Sequence, residues 1–246
     1  MSAERDLIFV GDVHLDRDDD HLDAFLAFLD SLGDTASRIV FMGDLFNLWV
    51  GRRELEQPHQ RAVIERLASL RSAGTVVRYL EGNRDFRLAP AYAGWALDDA
   101  VEHGVEERFG SRRIYAIHGD LANPQDRLYR AWRRLARSPA AWLGLGLVPR
   151  RRRLRFVEGL ENRLRRANLD FKRAFPERQV RDYAAQFLAQ GYDTVVLGHF
   201  HVEKDLDARP PSPPGRILVL PEWKERRRSL RVRADGRIAF ESATPA

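Results

Sequence analysis

The sequence predicts an α/β sandwich folded as a single domain over residues 1–246. Short apolar runs alternate with amphipathic helical stretches, which is the pattern of a parallel sheet covered by helices. Polar blocks follow several of the apolar runs directly, and loops at the carboxyl ends of parallel strands gather such residues into one crevice. A chain of 246 residues also suffices for one sizeable core.

Strand and helix alternate through the first third of the chain. Strands are predicted at Leu7–Val10, Arg38–Met42 and Thr75–Leu80. Apolar residues from Leu22 to Leu32 recur at helical spacing behind the acidic run 18–20, and negative charge favours a helix start. The stretch His59–Ser72 is predicted as a second helix.

The second half supplies further strands and one more helix. A helix is predicted at Arg178–Ala189, between strands at Arg113–Ile117 and Thr194–Leu197. Closing antiparallel strands are predicted at Ile217–Leu220, Ser229–Val232 and Arg237–Phe240. Asp235-Gly236, between the last two, is a strong hairpin signal.

Residues from about 121 to 175 interrupt this alternation. The segment from Asp126 to Arg181 carries 17 Lys or Arg against 5 Asp or Glu, whereas the whole chain has a net charge of only +5. The rest of the chain is therefore acidic. Apolar residues precede the basic run Arg150–Arg153, and they are Trp142, Leu143, Leu145, Leu147 and Val148. We interpret the segment as a basic helical lid, inserted beside the predicted crevice.

Composition argues against several classes of protein. The chain has no cysteine, which excludes disulfides and thiolate metal ligands and suits a reducing compartment. Its N-terminal residues lack the basic and apolar regions of a signal peptide. No run approaches the ~20 apolar residues that a membrane span requires. We therefore expect a cytoplasmic protein.

Five short polar blocks predict a metal centre. The blocks are 11–14, 43–44, 82–85, 118–120 and 198–201, and their candidate ligands are Asp12, His14, Asp44, Asn83, His118, His199 and His201. Each block alone is common, since a lone histidine is more often a surface or core residue and Gly-Asp often marks a turn. Together they indicate metal-dependent phosphoryl chemistry. The remaining histidines, His21, His59 and His103, are expected at solvated positions.

The ligand types suit two divalent ions. Carboxylate, amide and imidazole ligands without thiolate fit hard or borderline ions such as Mn²⁺. A two-metal site also needs a carboxylate that bridges ions ~3.5–4 Å apart. Asp44 is our candidate for the bridge, because it stands alone at its strand end.

The blocks resemble those of the calcineurin-like metallophosphoesterase superfamily, and they extend over most of the chain. The resemblance implies a four-layer α-β-β-α sandwich. It also implies that one ion is held by Asp12, His14, Asp44 and His201, and the other by Asp44, Asn83, His118 and His199. A hydroxide bridging the two ions would be the nucleophile.

Arg84 stands where the superfamily commonly has a histidine, in a Gly-Asn-His-Asp block. An arginine stays charged and cannot protonate a leaving group, but it can hold phosphate oxygens bidentately. This favours a leaving group that needs no proton, such as a phosphate whose last pKa is about 6, and hence pyrophosphate cleavage. We expect Arg84 to act in catalysis with Asp44, Asn83 and His118. The alternative is that Arg84 only forms a salt bridge with Asp85.

Three stretches are similar to the UDP-2,3-diacylglucosamine diphosphatase family of lipid A biosynthesis. They are 82–86, 43–51 and the block 118–120 followed by Asp126, Tyr129, 132–134 and 138–139. The resemblance implies Mn²⁺, release of UMP and lipid X, and an acylated sugar bound between lid and core. The substrate contacts that it implies are Asn83, Arg84, Asp126, Tyr129, Asn168 and Lys172. The chain departs from the family at Phe200 and at 202–204, and Arg226–Arg228 matches nothing in it.

The lid has two interpretations. Its leucines could line a groove for acyl chains or touch the bilayer, with Arg150–Arg153 facing anionic headgroups on the cytoplasmic face of the inner membrane. They could instead pack the lid onto the core, with the arginines solvated. We expect no specific nucleic-acid partner, because no base-reading motif accompanies the arginines.

Two other functions remain open. A general metallophosphoesterase would act on another nucleotide, pyrophosphate or phosphodiester, and its activity would not depend on the apolar lid residues. A non-catalytic binding scaffold would have no need for the whole ligand set, which is present here.

Overall fold

Two β-sheets lie face to face between layers of helices in the computed structural model of the protein. The structure describes residues 5–17, 20–169, 175–210 and 212–242, with the side chains of all of these except 162–169. Both sheets and the helices that cover them are formed by this part of the chain.

The first sheet carries the parallel strands of the first third of the chain. Its strands are β1 (Asp6–Val10), β2 (Ala36–Phe41), β4 (Val76–Leu80), β6 (Asp99–Val101), β12 (Arg228–Val232) and β13 (Ile238–Ser242). Their order is β13-β12-β1-β2-β4-β6. The strands β1, β2, β4 and β6 are parallel, and β12 and β13 form an antiparallel hairpin beside β1. The parallel strands therefore bring their carboxyl ends to one side of the sheet.

The second sheet combines three parallel strands with antiparallel edges. Its strands are β7 (Val105–Phe109), β8 (Arg112–Ile117), β9 (Thr194–Leu197), β10 (Lys204–Asp207) and β11 (Arg216–Val219). Their order is β10-β11-β9-β8-β7, with β8, β9 and β11 parallel and β7 and β10 antiparallel to their neighbours. A separate parallel pair is formed by β3 (Trp49–Val50) and β5 (Asp85–Phe86).

Helices cover the outer faces of both sheets. The helices are α1 (Leu22–Leu32), α2 (Pro58–Ser72), α3 (Ala89–Tyr92), α4 (Arg127–Ala136), α5 (Pro139–Leu147), α6 (Arg150–Leu169), α7 (Glu177–Leu188) and α8 (Trp223–Arg226), with a 3₁₀ turn at Arg53–Leu55. The first two pack on the first sheet, and α7 packs on the second. Helix α2 begins at a proline, and a capping box between Gln57 and Gln60 satisfies backbone donors at its start.

Alternation along the strands divides the apolar side chains between the layers. In β1, Leu7 and Phe9 face the second sheet, whereas Ile8 packs against the outer helices. In β9, Val196 faces the first sheet and Val195 packs against α7. Successive side chains of a strand point to opposite faces, and each fully buried side chain of this size contributes about 1.5–3 kcal/mol. Apolar side chains on both faces of each sheet produce four layers, which confirms the α-β-β-α fold that the resemblance implies.

One strand prediction is wrong. The sequence predicts Ile217–Leu220 as a closing antiparallel strand, but β11 covers Arg216–Val219, belongs to the second sheet and runs parallel to β9. The unpredicted strand β10 explains the difference. It lies antiparallel to β11 and reverses the chain, so β11 enters the sheet in the direction of β9. Only β12 and β13 form the expected hairpin.

Three helices, α4, α5 and α6, follow one another between β8 and α7, where the sequence predicts the helical lid. The Asp126 carboxylate accepts a hydrogen bond from Tyr129 N at 2.9 Å and caps α4. The Ser138 hydroxyl accepts from Ala141 N at 3.1 Å and caps α5, which begins at Pro139. These caps satisfy donors that a helix start leaves free.

The structure also bears on membrane spanning. In the ranges that it describes, no helix has the length and apolarity needed to cross a membrane.

Candidate metal centre

The seven predicted ligands come together from the strand ends of both sheets. Asp12, Asp44 and Asn83 follow β1, β2 and β4 of the first sheet, and His118, His199 and His201 follow β8 and β9 of the second. His14 lies two residues beyond Asp12. The site therefore lies at the junction of the two sheets.

Most of these residues have a strained backbone. The values of φ are 51° for Asp12, 51° for His14, 54° for Asp44, 71° for His199 and 56° for His201. Residues other than glycine rarely adopt this left-handed conformation, although Asp, Asn and His tolerate it best. Each instance costs of order 1–3 kcal/mol, and such strain clusters at functional sites. The surrounding fold must therefore stabilise these turns.

Glycines allow the ligand loops to approach each other closely. A Cβ atom on Gly82 would lie 2.1 Å from Asp44 Oδ1 and 2.7 Å from His118 Cε1. Gly43 has a φ of 88°, and its Cβ would lie 2.6 Å from Gly82 N. Only glycine fits both positions without displacing a ligand.

His14, His201 and Asp12 form a first cluster. The Nε2 atoms of the two histidines face each other at 3.1 Å. His201 Nε2 also lies 3.7 Å from Asp12 Oδ1. That carboxylate oxygen is buried and has no hydrogen-bond partner among the described residues. One ligand atom from each of the three residues lies within 4.8 Å of the others.

Asn83, His118 and His199 form a second cluster, with Asp44 between the two. Asn83 Oδ1 lies 3.1 Å from His118 Nε2 and 3.1 Å from His199 Nδ1. Asp44 Oδ2 lies 3.8 Å from His118 Nε2 and 4.0 Å from His14 Nε2. Asp12, Asp44 and His118 also offer ligand atoms within 4.8 Å of one another, so the clusters adjoin.

The donor atoms of both clusters fit divalent cations. Two imidazole nitrogens that face each other at 3.1 Å need a proton or a cation between their lone pairs. A buried carboxylate oxygen without a partner is costly unless an ion compensates it. Carboxylate, amide oxygen and imidazole together form the mixed shell that suits such ions. The clusters could therefore hold metal ions.

Two imidazoles are oriented by groups outside the ligand set. His118 Nδ1 donates to the carbonyl oxygen of Met42 at 2.7 Å, so the neutral ring would present the lone pair of Nε2 to a cation. His201 Nδ1 lies 3.6 Å from Glu222 Oε2. Sequence reasoning missed Glu222, because it follows β11 and no pattern connects it to a histidine about twenty residues earlier.

Burial shifts the pKa values of the clustered groups strongly. It raises the pKa of Asp12 to about 6 and lowers the pKa of His199 to about 3. Burial, with His201 nearby, also holds the pKa of His14 well below its usual value. For His201 itself the carboxylates of Glu222 and Asp12 outweigh burial, and its pKa rises to about 9. A cation would have to displace the proton that His201 then carries.

Asp85 holds two ligand loops together, a role that the sequence does not reveal. Its Oδ2 accepts hydrogen bonds from Asp44 N at 2.8 Å, from Gly82 N at 2.9 Å and from the Tyr79 hydroxyl at 3.0 Å. Burial and the Asp44 carboxylate raise the pKa of Asp85 to about 7. Because it binds the backbone on both sides of the site, Asp85 fixes the positions of Asp44 and Asn83.

Arg84 lies buried beside the predicted bridging carboxylate. Its Nε is 3.7 Å from Asp44 Oδ2, and its backbone N donates to Asp44 Oδ1 at 3.0 Å. Its Nη1 donates to the Asn47 carbonyl at 3.4 Å. Burial lowers the pKa of the guanidinium, and the carboxylates of Asp44 and Asp85 oppose this shift. The Arg84 side chain therefore lies beside Asp44, between the two clusters, and its contacts are not limited to Asp85.

The other predicted substrate contacts lie in the lid or outside the described residues. The Asp126 carboxylate caps α4, and the Tyr129 hydroxyl donates to the Asp120 carboxylate. Asn168 lies in the last part of α6, residues 162–169, for which the structure describes the backbone only. Lys172 lies outside the described residues. Substrate contact by these four residues stays a prediction.

The expectation for His59 is wrong. The residue is only 4% exposed, and its ring meets the Phe46 ring edge-on at 5.7 Å. His59 lies on the same face of α2 as Val63 and Leu67, so it faces the core and not the solvent. His103 is exposed, as expected.

An apolar cavity of about 600 Å³ lies between the lid and the core. Its walls include Leu48 and Phe86 from the core and Leu145, Val148 and Val157 from the lid. Phe86 lies two residues after Arg84, and Leu48 follows Asn47, whose carbonyl accepts a hydrogen bond from Arg84. Leu143 and Leu147, on the same helix as Leu145, do not line the cavity and are 68% and 79% exposed. Contact of these leucines with a bilayer stays a prediction.

Fold and site together define a phosphoesterase. The family model for calcineurin-like phosphoesterases matches residues 6–203, and the chain belongs to this family. It is accordingly a hydrolase of a family that uses divalent metal ions.

The curated relatives have a more specific name than the family does. The chain is 31% identical to the UDP-2,3-diacylglucosamine hydrolase of Stenotrophomonas maltophilia over 93% of this chain and 95% of that protein. It is 32% identical to the protein of the same name from Aromatoleum aromaticum over 79% of each chain. A solved structure of a hypothetical protein from Pyrococcus horikoshii shares the fold, with a TM-score of 0.51 and 11% identity over 99% of this chain and 89% of that one.

Proposed function

We propose that the protein is a metal-dependent hydrolase that cleaves the pyrophosphate of UDP-2,3-diacylglucosamine to UMP and 2,3-diacylglucosamine 1-phosphate in lipid A biosynthesis. The observation that carries the proposal is an apolar cavity whose wall includes Phe86, two residues after Arg84, in a protein that also has a mixed carboxylate, amide and imidazole site. The names of the curated relatives support the same substrate. A soluble nucleotide would have no use for the cavity.

The seven clustered residues would hold two divalent ions, which we propose to be Mn²⁺. Asp12, His14 and His201 would hold one ion, Asn83, His118 and His199 the other, and Asp44 would join the two. When bound, such ions supply Lewis-acid activation of the attacking water and of the phosphate. The positions of His118 and His201 are set by Met42 and Glu222, which orient each imidazole towards the ions.

Arg84 would bind the phosphate oxygens next to the reacting centre. Its guanidinium is buried and lies beside Asp44, where negative charge accumulates during cleavage. A preorganised donor in a site of low dielectric stabilises such charge more than it would in water. The departing UMP phosphate has a last pKa of about 6, so it leaves without a proton donor. Arginine at this position therefore suits an anhydride substrate.

The lid would bind the acyl chains of the substrate. The cavity walls are almost entirely aliphatic or aromatic, and burial of a CH₂ group in such a space contributes about 0.8 kcal/mol. The caps at Asp126 and Ser138 stabilise the starts of the first two lid helices. Asp126, Tyr129, Asn168 and Lys172 would contact the sugar or phosphate part.

The outer surface of the lid would contact the cytoplasmic face of the inner membrane. Leu143 and Leu147 are exposed one turn apart on α5, directly before the basic run Arg150–Arg153. Exposed leucines beside several arginines suit an interface with anionic headgroups. Replacing the four arginines with glutamine should weaken binding to phosphatidylglycerol vesicles. Unchanged, salt-insensitive binding would argue against this orientation.

The function is tested with purified protein, Mn²⁺ and UDP-2,3-diacylglucosamine, with products read by mass spectrometry. We expect release of UMP and the diacylated sugar phosphate, abolished by a chelator and restored by Mn²⁺. The matched control substrate is UDP-glucose, which has the same anhydride without acyl chains. Hydrolysis of bis(p-nitrophenyl) phosphate without turnover of the acylated substrate would leave only the broader phosphoesterase function.

A further inference from the structure

Arg137 reaches from the lid into the loop that carries two predicted catalytic residues. It ends α4, yet it is only 8% exposed. Its Nη2 donates to the carbonyl oxygens of Gly82 and Asp85, the latter at 2.9 Å. These two residues bracket Asn83 and Arg84. A single guanidinium thus binds the loop on both sides of the residues that face the reacting phosphate.

The setting of this side chain is unusual for the end of a surface helix. Its Nε lies 3.7 Å from the carboxylate of Glu81, which is buried, and 4.0 Å from the carboxylate of Glu102, which is partly exposed. Glu81 in turn accepts hydrogen bonds from Leu88 N at 2.6 Å and Arg87 N at 3.2 Å. Burying a charge is costly unless it is paired and hydrogen-bonded. Three of the four groups that face this guanidinium, Glu81 and the carbonyls of Gly82 and Asp85, lie at the entry and exit of one loop.

The same arginine also touches the wall of the cavity. Its guanidinium carbon lies 5.7 Å from the centre of the Phe86 ring, and that ring meets Trp132 edge-on at 5.8 Å. Both rings line the apolar cavity. Arg137 therefore connects α4, the cavity wall and the loop from Gly82 to Asp85.

A second contact of α4 anchors the opposite loop. Arg133 Nε lies 2.9 Å from Asp120 Oδ2, and its Nη2 donates to the Glu102 carbonyl at 2.9 Å. Asp120 lies two residues after His118. One lid helix is thus attached to a loop from each sheet.

We propose that Arg137 is a positioning residue. Through its contacts, the position of α4 on the core determines the positions of Asn83 and Arg84. Filling of the cavity then aligns the loop, so that binding energy from the acyl chains is used at the reacting phosphate. The role of the cavity rests on the proposed substrate, whereas the role of Arg137 requires only a phosphoesterase.

The test compares Arg137→Gln and Arg137→Lys with the control Arg134→Gln, an exposed arginine on the same helix. Each protein is loaded with Mn²⁺, and metal content and thermal midpoint are measured first. The kinetic constants are then measured with UDP-2,3-diacylglucosamine and with bis(p-nitrophenyl) phosphate. Hydrogen exchange by mass spectrometry compares the segments 82–87 and 118–123.

For Arg137→Gln we expect kcat to fall about 10–100-fold with little change in KM, since small misplacements of reacting groups have effects of this size. Exchange in 82–87 should accelerate, while exchange in 118–123 and metal content should match the wild type. The kcat and exchange rates of Arg137→Lys should lie between those of the wild type and Arg137→Gln. An ammonium group keeps the charge but lacks the planar guanidinium that binds two carbonyls. The control should behave like the wild type.

A wild-type value of kcat in Arg137→Gln with unchanged exchange would overturn the proposal. Loss of activity in parallel with metal content and thermal midpoint would also overturn it, since Arg137 would then be structural only. If Arg137→Gln does not fold, the lysine variant decides by the same criteria. If the wild type hydrolyses only the artificial phosphodiester, the proposed substrate fails, and the positioning role is decided from that substrate and from exchange.

Discussion

At the scale of single residues, the candidate ligands are held by partners that bind no substrate themselves. Asp85 accepts three hydrogen bonds from the loops around the site. Met42 and Glu222 orient His118 and His201. Such partners tune metal affinity by 10–100-fold in other proteins, as an order of magnitude. The geometry of this centre therefore depends on residues outside the ligand set.

Asp44→Ala should abolish turnover of any phosphate ester while the protein still folds. Asp44 Oδ2 lies between the two clusters, so its removal separates the proposed metal positions. Activity with Mn²⁺, metal content and circular dichroism would be measured on the same preparation. Alanine at the exposed Asp34 is the control and should change nothing. Retained turnover would contradict the bridging assignment.

Arg84→His should lower kcat for the pyrophosphate substrate by about 10²–10³, the usual loss when a transition-state donor is removed. Metal content should stay near the wild-type value, because the guanidinium contacts Asp44 without being a ligand. Kinetics and metal analysis of the same samples check this expectation. Equal losses of metal and activity would instead assign Arg84 a structural role.

Asp85→Ala should lower the free energy of unfolding by about 2–5 kcal/mol, since three buried donors lose their acceptor. Urea denaturation measures the effect. Asp85→Asn keeps one acceptor oxygen and should cost less. If the two variants are equally stable, the hydrogen bonds at Asp85 do not hold the loops.

The site residues that the sequence predicts differ physically from those that it does not predict. Histidine, aspartate and asparagine directly after apolar runs are visible, because the strand pattern places them at one end of a sheet. Glu222 and Arg137 act through partners that only the tertiary structure supplies, and no spacing predicts such partners. His59 is a different case, because its helical register with Val63 and Leu67 was available and indicates burial.

At the scale of elements, the segments that the sequence predicts agree with the structure in their bounds, whereas β3, β5, β6, β7 and β10 were not predicted. The helices α1, α2 and α7 and the strands β1, β2, β4, β8 and β9 lie within two residues of their predicted ends. Strand β7 was missed although it alternates, because the middle inward residue is Glu107. That buried carboxylate lies 2.8 Å from both Arg38 and Arg78. The sequence alone does not show that these arginines compensate its charge. The two-residue strands β3 and β5 depend wholly on each other.

Helix α5 allows a matched test of the lid. Leu145 lines the cavity, and Leu143 on the same helix is exposed. Leu145→Asn should raise KM for UDP-2,3-diacylglucosamine about 10-fold or more, since a polar group in an apolar cavity loses 1–3 kcal/mol of binding. Hydrolysis of bis(p-nitrophenyl) phosphate should be unaffected. Leu143→Asn is the control, and equal effects of both variants would exclude the cavity as the acyl site.

At the scale of the whole molecule, metal binding should release protons. His201 has a pKa of about 9 and is protonated at pH 7.5, so Mn²⁺ must displace its proton. We expect proton release at pH 7.5, less release above pH 9, and weaker binding below pH 6, where Asp12 is protonated too. Calorimetry of chelator-treated protein in buffers of different ionisation enthalpy measures the release.

The variant Glu222→Gln provides the control for this measurement. It removes the carboxylate that favours the charged imidazole, so less proton release is expected at the same pH. Proton release that is the same with and without Glu222, or metal affinity that does not change between pH 6 and 9, would contradict the linkage.

The ligands come from the strand ends of both sheets, and this has a consequence for how the chain acquires its activity. Asp12 and Asp44 lie in the first fifth of the sequence, and His199 follows Asp44 by about 150 residues. A partly folded chain with only one sheet holds at most four of the seven predicted ligands. We therefore expect ions to bind tightly only after the two sheets have docked, and their binding to link the sheets. A chain in which only one sheet has formed should then not hydrolyse phosphate esters.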